Sequence, residues 1–277
     1  EDKKKPKAIL SNLSNQIMKR LENIEKLDLL KLVVQGHKAL ENKEIQVYMD
    51  DQHAQETFRS FAWTGEILSP NDQQDYLHLV HSNFQGQKSN ASIEEDIVLD
   101  TKIRKDGSVV NKLSIIREHT GDPDTEFYGG KNISHIKTYV PKGAKLLEAK
   151  GFEYPPESLF KVPNKEYKDH PLVKKKKKAA ETDLESGTKI SNQFGKTIFS
   201  NWIITEPGQT SRAVLQYKLP FKVSEQKKKN IEGSSTWKQL FLGEDKQRKV
   251  LPYSMLLQKQ SGTNYNYLHR IQVTGEW

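Results

Sequence analysis

The groups in this 277-residue chain whose types and spacing could do chemistry are eight histidines, a run of carboxylates and an amide-rich loop. His78 and His81 stand three apart in Tyr76-Leu77-His78-Leu79-Val80-His81. On a strand, residues three apart point to opposite faces, so the two imidazoles cannot share one metal ion. No histidine sits in a helical zinc spacing such as H-E-x-x-H. Asp122, Asp124 and Glu126 offer hard oxygen ligands at alternating positions, which would suit Ca²⁺. That run lacks the central glycine and distal glutamate of a calcium loop, and it reads as an Asp-rich turn. Gly129-Gly130 is followed by neither a helix start nor G-K-[ST], so it is not a phosphate loop. There is no G-x-S-x-G elbow for a serine nucleophile. The absence of cysteine removes thiolate zinc sites, iron–sulfur clusters and cysteine nucleophiles. We therefore expect no catalytic residue, no metal ligand and no cofactor, and lean against an enzyme for this fragment.

One ligand-binding candidate remains, the polar loop running from Ser82 to Asn90. Asn83, Gln87, Lys88 and Asn90 carry amides and an ammonium that could hydrogen-bond a glycan or an anionic polymer. The bland reading is that these side chains satisfy the backbone of their own loop.

The elements that would position such groups fall into two regions. From Ala8 to about Leu40 the chain reads as helix, with Ile9, Leu13, Ile17, Leu21 and Ile24 on one face that should pack on its own domain; Gly36 is a possible break or bend near the end. Ile45–Met49 reads as strand-like or extended. Asp50 or Asp51 then caps a second helix through about Phe61. Beyond Pro70 the periodicity changes to two. Tyr76–His81 is a strand candidate, and Ile97, Leu99, Thr101 and Ile103 alternate before Asp106-Gly107, a strong hairpin signal, with Val109–Ile116 returning. Further strands fit Ile133–Val140, Lys145–Ala149, Thr197–Thr205, Ser211–Leu219, Tyr253–Gln260 and Tyr267–Thr274. The predicted fold class is α+β: a small helical portion over 1–70, the tail of a truncated upstream domain, then an antiparallel β-sandwich over 71–277, with an Ig-like architecture possible. Polar insertions are expected near 153–193 and 224–249. In the second, Trp237, Leu240, Phe241 and Leu242 could dock or form a short helix.

Composition agrees with a core of moderate size. Leu, Ile, Val and Phe together number 68, about a quarter of the chain and above the ~20% typical of disorder. The formal net charge is +8. Much of it lies in Lys3–Lys5, Lys174–Lys178 and Lys227–Lys229, without interleaved aromatic residues for base stacking, so it reads as solvated loop charge rather than a nucleic-acid surface. No run of about 18 apolar residues could span a membrane. The chain opens on Glu1-Asp2-Lys3 rather than Met, and we expect it to be a piece of a longer precursor.

Several short runs resemble one family in their order: Ile45–Tyr48, Trp63-Thr64-Gly65, Asp75–Asn83 with Gly86, Lys88, Ser89 and Asn90, then Tyr139–Leu147, Gly151-Phe152, Gly195-Lys196-Thr197 with Trp202, and Tyr253–Thr263. Over roughly residues 25–275 the chain is similar to the C-terminal region of the bacterial domain-of-unknown-function 4012 family of uncharacterised envelope proteins. Thr64 stands where that family's Trp-x-Gly element is often acidic. The resemblance implies a membrane-anchored precursor and an extracytoplasmic, β-rich location in the cell envelope of a bacterium. It also implies a non-catalytic interaction or scaffolding module or, alternatively, an accessory part of an envelope polymer-transferring or polymer-processing enzyme whose catalytic domain lies upstream. Partners would be an anionic wall polymer, a glycan or another envelope protein; membrane contact would come only through the upstream anchor, and nucleic acid is not expected.

Overall fold

The computed structural model of the protein describes residues 8–71, 73–84, 87–160, 168, 170–224, 226–227, 249–250 and 252–274. The chain divides into two compact units, Glu1–Glu66 and Ile67–Trp277.

The first unit carries three helices, α1 (Ala8–Glu22), α2 (Lys26–Glu41) and α3 (Gln52–Ser60). The single long helix expected over 8–40 is two, because the helix ends at Asn23, whose N–H donates to the Arg20 carbonyl, and restarts after Glu25 in extended conformation. Gly36 lies inside α2 without breaking it. The expected burial of the apolar stripe is also corrected: Ile9, Leu13, Ile17 and Leu21 are exposed, and α2 buries no residue. Asp51 caps α3 by accepting from the Ala54 N–H, as its position before an amphipathic turn requires. Ile45–Met49 is not a strand; Val47 makes one backbone bond to Trp63, and Met49 N–H donates to Gln55 Oε1. Trp63 is packed by Phe58, Phe61 and His37. Arg59 and Gln55 clasp Glu66, and these hydrogen bonds pull its carboxyl down to about 2.

The second unit is two sheets packed face to face. The strands are β1 (Asp75–Asn83), β2 (Ile93–Ile103), β3 (Ser108–His119), β4 (Asn132–Pro141), β5 (Lys145–Lys150), β6 (Glu181–Thr182), β7 (Lys189–Gln193), β8 (Lys196–Thr205), β9 (Thr210–Lys222), β10 (Gln226–Lys227), β11 (Lys249–Val250), β12 (Met255–Gln258) and β13 (Asn266–Val273). Helix α4 spans Pro171–Lys178. One sheet has the order β12-β1-β4-β8-β7-β6 and the other β13-β2-β3-β9-β5, with β10 and β11 paired apart. Every second side chain of the central strands points between the sheets: Leu77 and Leu79, Ile97 and Leu99, Leu113 and Ile115, Ile136 and Val140, Phe199 and Ile203, Leu215 and Leu219 form one continuous core.

Asp106-Gly107 closes the β2–β3 hairpin as predicted. Gly107 has φ +77°, and a Cβ there would lie 2.2 Å from the Val223 carbonyl oxygen, so the position needs glycine on both counts. Pairing is not wholly antiparallel, however. β12 and β13 join the edges of their sheets parallel to β1 and β2. A period-two pattern encodes a strand's faces and not its direction relative to a neighbour. The Tyr253–Gln260 strand is shorter than expected, at Met255–Gln258. Within the polar 153–193 stretch, β7 is a ladder member beside β8. The Lys174–Lys178 run, read as loop, is the body of α4, started by Pro171 and by His170 Nδ1 accepting from the Leu172 N–H. The apolar group at Trp237–Leu242 lies outside the described residues.

Candidate functional site

The inward stripes of β1, β2 and β3 are apolar over most of their length and turn polar at one end. On β1 the parity of Leu77 and Leu79 continues to His81; on β2 that of Ile97 continues back to Glu95; on β3 that of Ile115 continues to Arg117 and His119. Glu95 and Arg117 are direct partners in the β2–β3 register. Their salt bridge is 2.9 Å from Arg117 Nε to Glu95 Oε2, and His81 Nε2 stands 3.2 Å from the other oxygen, Oε1. All three side chains are almost wholly buried, at 6%, 6% and 3% exposure for His81, Glu95 and Arg117. This carboxylate therefore joins the two sheets. Burial pulls the Arg117 pKa down while Glu95 opposes the shift.

A second tier of polar groups holds this triad. Arg117 donates to Asn132 Oδ1, and Asn132 Nδ2 donates to Ser89 Oγ and Asn90 Oδ1. His119 Nδ1 accepts from the Gly121 N–H, which leaves Nε2 as the protonated nitrogen donating to the Gly130 carbonyl. The β1 side is fixed by Gln260, which accepts from the His81 N–H and donates back to the His81 carbonyl, extending the β1–β12 ladder by a side chain. The Gln260 carbonyl in turn accepts from the Thr263 N–H and Oγ1, folding the Gly262–Asn266 turn over the triad.

The result is a polar cleft of about 500 Å³ between the sheets, lined by His81, Asn90, Glu94, Glu95, Arg117, Tyr265 and their neighbours. Four buried polar atoms of its lining side chains make no hydrogen bond: His81 Nε2 and Arg117 Nε lie within ion-pair distance of Glu95, whereas His81 Nδ1 and Tyr265 Oη meet no partner of either kind. Burial first, and the nearby Glu95 charge second, raise the Tyr265 phenol to about 12. Glu95 and Arg117 neutralise one another, Glu94 leaves an exposed carboxylate on the lining, and His81 Nδ1 and Tyr265 Oη add uncharged hydrogen-bonding capacity.

The four sequence-predicted residues separate here. Asn90 lines the cleft and is tied to Asn132. Asn83 donates to the Gln87 carbonyl within its own loop, Gln87 takes a left-handed φ of 50°, and the Lys88 N–H is bonded to the Phe127 carbonyl; none of these three lines the cleft. Glu95, Arg117 and Tyr265 were not singled out from sequence, and His81 was weighed only as a metal ligand with His78. The signal available was parity: charged residues continuing an inward apolar alternation.

A second buried polar group lies deeper between the sheets and is closed. Asp75 Oδ2 accepts from Tyr253 Oη at 2.6 Å and Asn111 Nδ2 at 2.7 Å, while Oδ1 accepts from the Tyr76 N–H. Thr101 Oγ1 donates to Asn111 Oδ1 and meets His269 Nε2. Burial raises the Asp75 carboxyl despite these bonds. With its members satisfied by one another, this network pins β1, β3 and the segment before β12 rather than facing a ligand. In the acidic turn, Asp122 Oδ1 accepts from the Asp124 N–H. Among the described residues no group of three or more His, Asp or Glu side chains could hold a metal ion, and no helix is long and apolar enough to cross a membrane. No protein-family model matches the chain, and neither the curated proteins nor the solved structures yield a match.

Proposed function

We propose that the protein is a non-catalytic interaction module that takes a neutral, hydroxyl-rich ligand, a glycan, in the cleft between its sheets. The observation that carries this reading is the pair of partnerless buried atoms, His81 Nδ1 and Tyr265 Oη, beside a Glu95–Arg117 pair that already neutralises itself. Buried polar groups are ordinarily hydrogen-bonded. A sugar hydroxyl can both donate and accept, so it can meet an imidazole nitrogen and a phenol together. In this reading two rigid sheets, Ig-like in role, display the turns around the cleft. The extracytoplasmic envelope setting and membrane-anchored precursor enter the proposal through the family resemblance alone.

Calorimetric titration of the chain with a panel of neutral oligosaccharides tests the reading. Binding should weaken about tenfold in Tyr265→Phe, the loss of one buried hydrogen bond of ~1–1.5 kcal/mol. Equal affinity of Tyr265→Phe and the parent, or no binding across the panel, would sink it.

One observation favours a second reading, as an accessory part of a polymer-processing enzyme. The buried carboxylate of Glu95 lies 3.2 Å from His81 Nε2, within ion-pair distance but without a hydrogen bond, and Nδ1 meets no partner; tightening of that contact on binding is how a carboxylate would orient a general base. That reading requires turnover of a bound glycan that is lost in His81→Asn while binding persists.

A further inference from the structure

We propose a second binding surface, independent of the cleft, on the outer face of the β13-β2-β3-β9-β5 sheet, for a linear phosphodiester-linked polyol. Outward-facing residues lie in rows across the strands. The register places Arg270, Asp100, Lys112, Gln216 and Glu148 in one row, and Gln272, Lys102, Val110, Lys218 and Lys145 in the next. Adjacent strands are ~4.8 Å apart and alternate residues on one strand ~6.8 Å apart, so these cations form a compact field. The face carries a groove of about 510 Å³ that also takes in Arg104. The groove's one carboxylate, Asp100, is engaged by Arg270 through two hydrogen bonds of 2.5 and 2.9 Å, and Glu148, at the far strand of the same row, is paired with Lys150. Among the described residues, Lys102, Arg104 and Lys112 have no carboxylate within salt-bridge distance, although all three side chains are exposed.

Lys145 and Lys218 stand directly opposite one another, a like-charge pair that disfavours the sheet bearing it. A polyanion lying across the strands would reverse that penalty and release its own counterions. The groove lining contains no aromatic side chain on which a base could stack, which argues against single-stranded nucleic acid. Gln216 and Gln272 instead add amides suited to the hydroxyls between phosphates. The cationic excess is thus partly organised by the fold, and does not lie only in lysine runs.

The test uses deacylated poly(glycerol phosphate) as the probe, titrated into the full chain at about 50 and 200 mM salt. Three proteins are compared: the parent, Lys102→Gln/Arg104→Gln/Lys112→Gln, and a control with Lys174–Lys178 and Lys227–Lys229 changed to Gln. Every substituted position in the groove variant is solvent-exposed, and thermal unfolding verifies the fold of both variants. Affinity should fall at least about tenfold in the groove variant with a shallower salt dependence, and change little in the control. The proposal is overturned if the parent does not bind at the lower salt, if the loss occurs in the control instead, or if single-stranded DNA binds the groove more tightly than the polyol phosphate.

Discussion

Glu95 and Arg117 oppose one another across β2 and β3 in a place where neither charge has water to fall back on. Breaking one side of such a buried pair leaves the other uncompensated, so Glu95→Gln should lower stability by ~3–5 kcal/mol in urea unfolding. A loss under ~1 kcal/mol would mean that Arg117 reaches solvent. Tyr265→Phe should behave in the opposite way. It removes a buried hydroxyl that has no protein partner, so unliganded stability should hold or rise by up to ~1–2 kcal/mol even as glycan affinity drops. Asp75 predicts a pH effect of definite sign. Its carboxyl is raised in the folded protein, so the native state keeps the proton to higher pH than the unfolded chain does. The stability it contributes is complete below the ordinary carboxylate value of ~3.9 and falls as pH rises from there towards the raised native value. In Asp75→Asn that part of the slope should vanish from unfolding midpoints measured across this range; an unchanged slope would place the effect on other groups.

Strands were legible in the sequence where alternation met turn chemistry. Ile97, Leu99, Thr101 and Ile103 before Asp106-Gly107 located the β2–β3 hairpin because parity and a glycine with positive φ specify the same register. Gly107→Ala should accordingly cost about 1–3 kcal/mol from backbone strain alone, and more from the approach to Val223, read as a lowered urea midpoint. A neutral substitution would show that the turn relaxes freely. The helical pattern at 8–40 gave helix type correctly but missed the break at 23–25, since Ile24 keeps the apolar spacing through it. Parallel pairing of β12 and β13 was hidden for a different reason. A strand's own sequence carries its faces, whereas its direction relative to a neighbour is set by distant connections. Gln258 and Gln260 hold this edge with side-chain bonds to Leu68, Tyr76 and His81, which no periodicity reveals.

At the scale of the whole molecule, the sandwich class could be read from the sequence but the cleft could not. Asn90 was recognisable as a polar loop residue, yet its cleft forms only when β1, β2, β3 and the turn after β12 converge, drawing residues 81 to 266 together. Isolated charges such as Glu95 and Arg117 look like ordinary strand surface until inward parity is followed to the end of each strand. The same sheets carry two chemically distinct surfaces, a polar cleft built around the Glu95–Arg117 pair and an outer-face groove rich in lysine and arginine. The most direct test of the central claim is ¹⁵N NMR mapping of the full chain titrated with neutral oligosaccharides. Saturable shifts should concentrate at residues 90–95, 117 and 262–266 and at the His81 imidazole nitrogens. Saturable shifts confined to other residues, or none up to millimolar sugar, would contradict it.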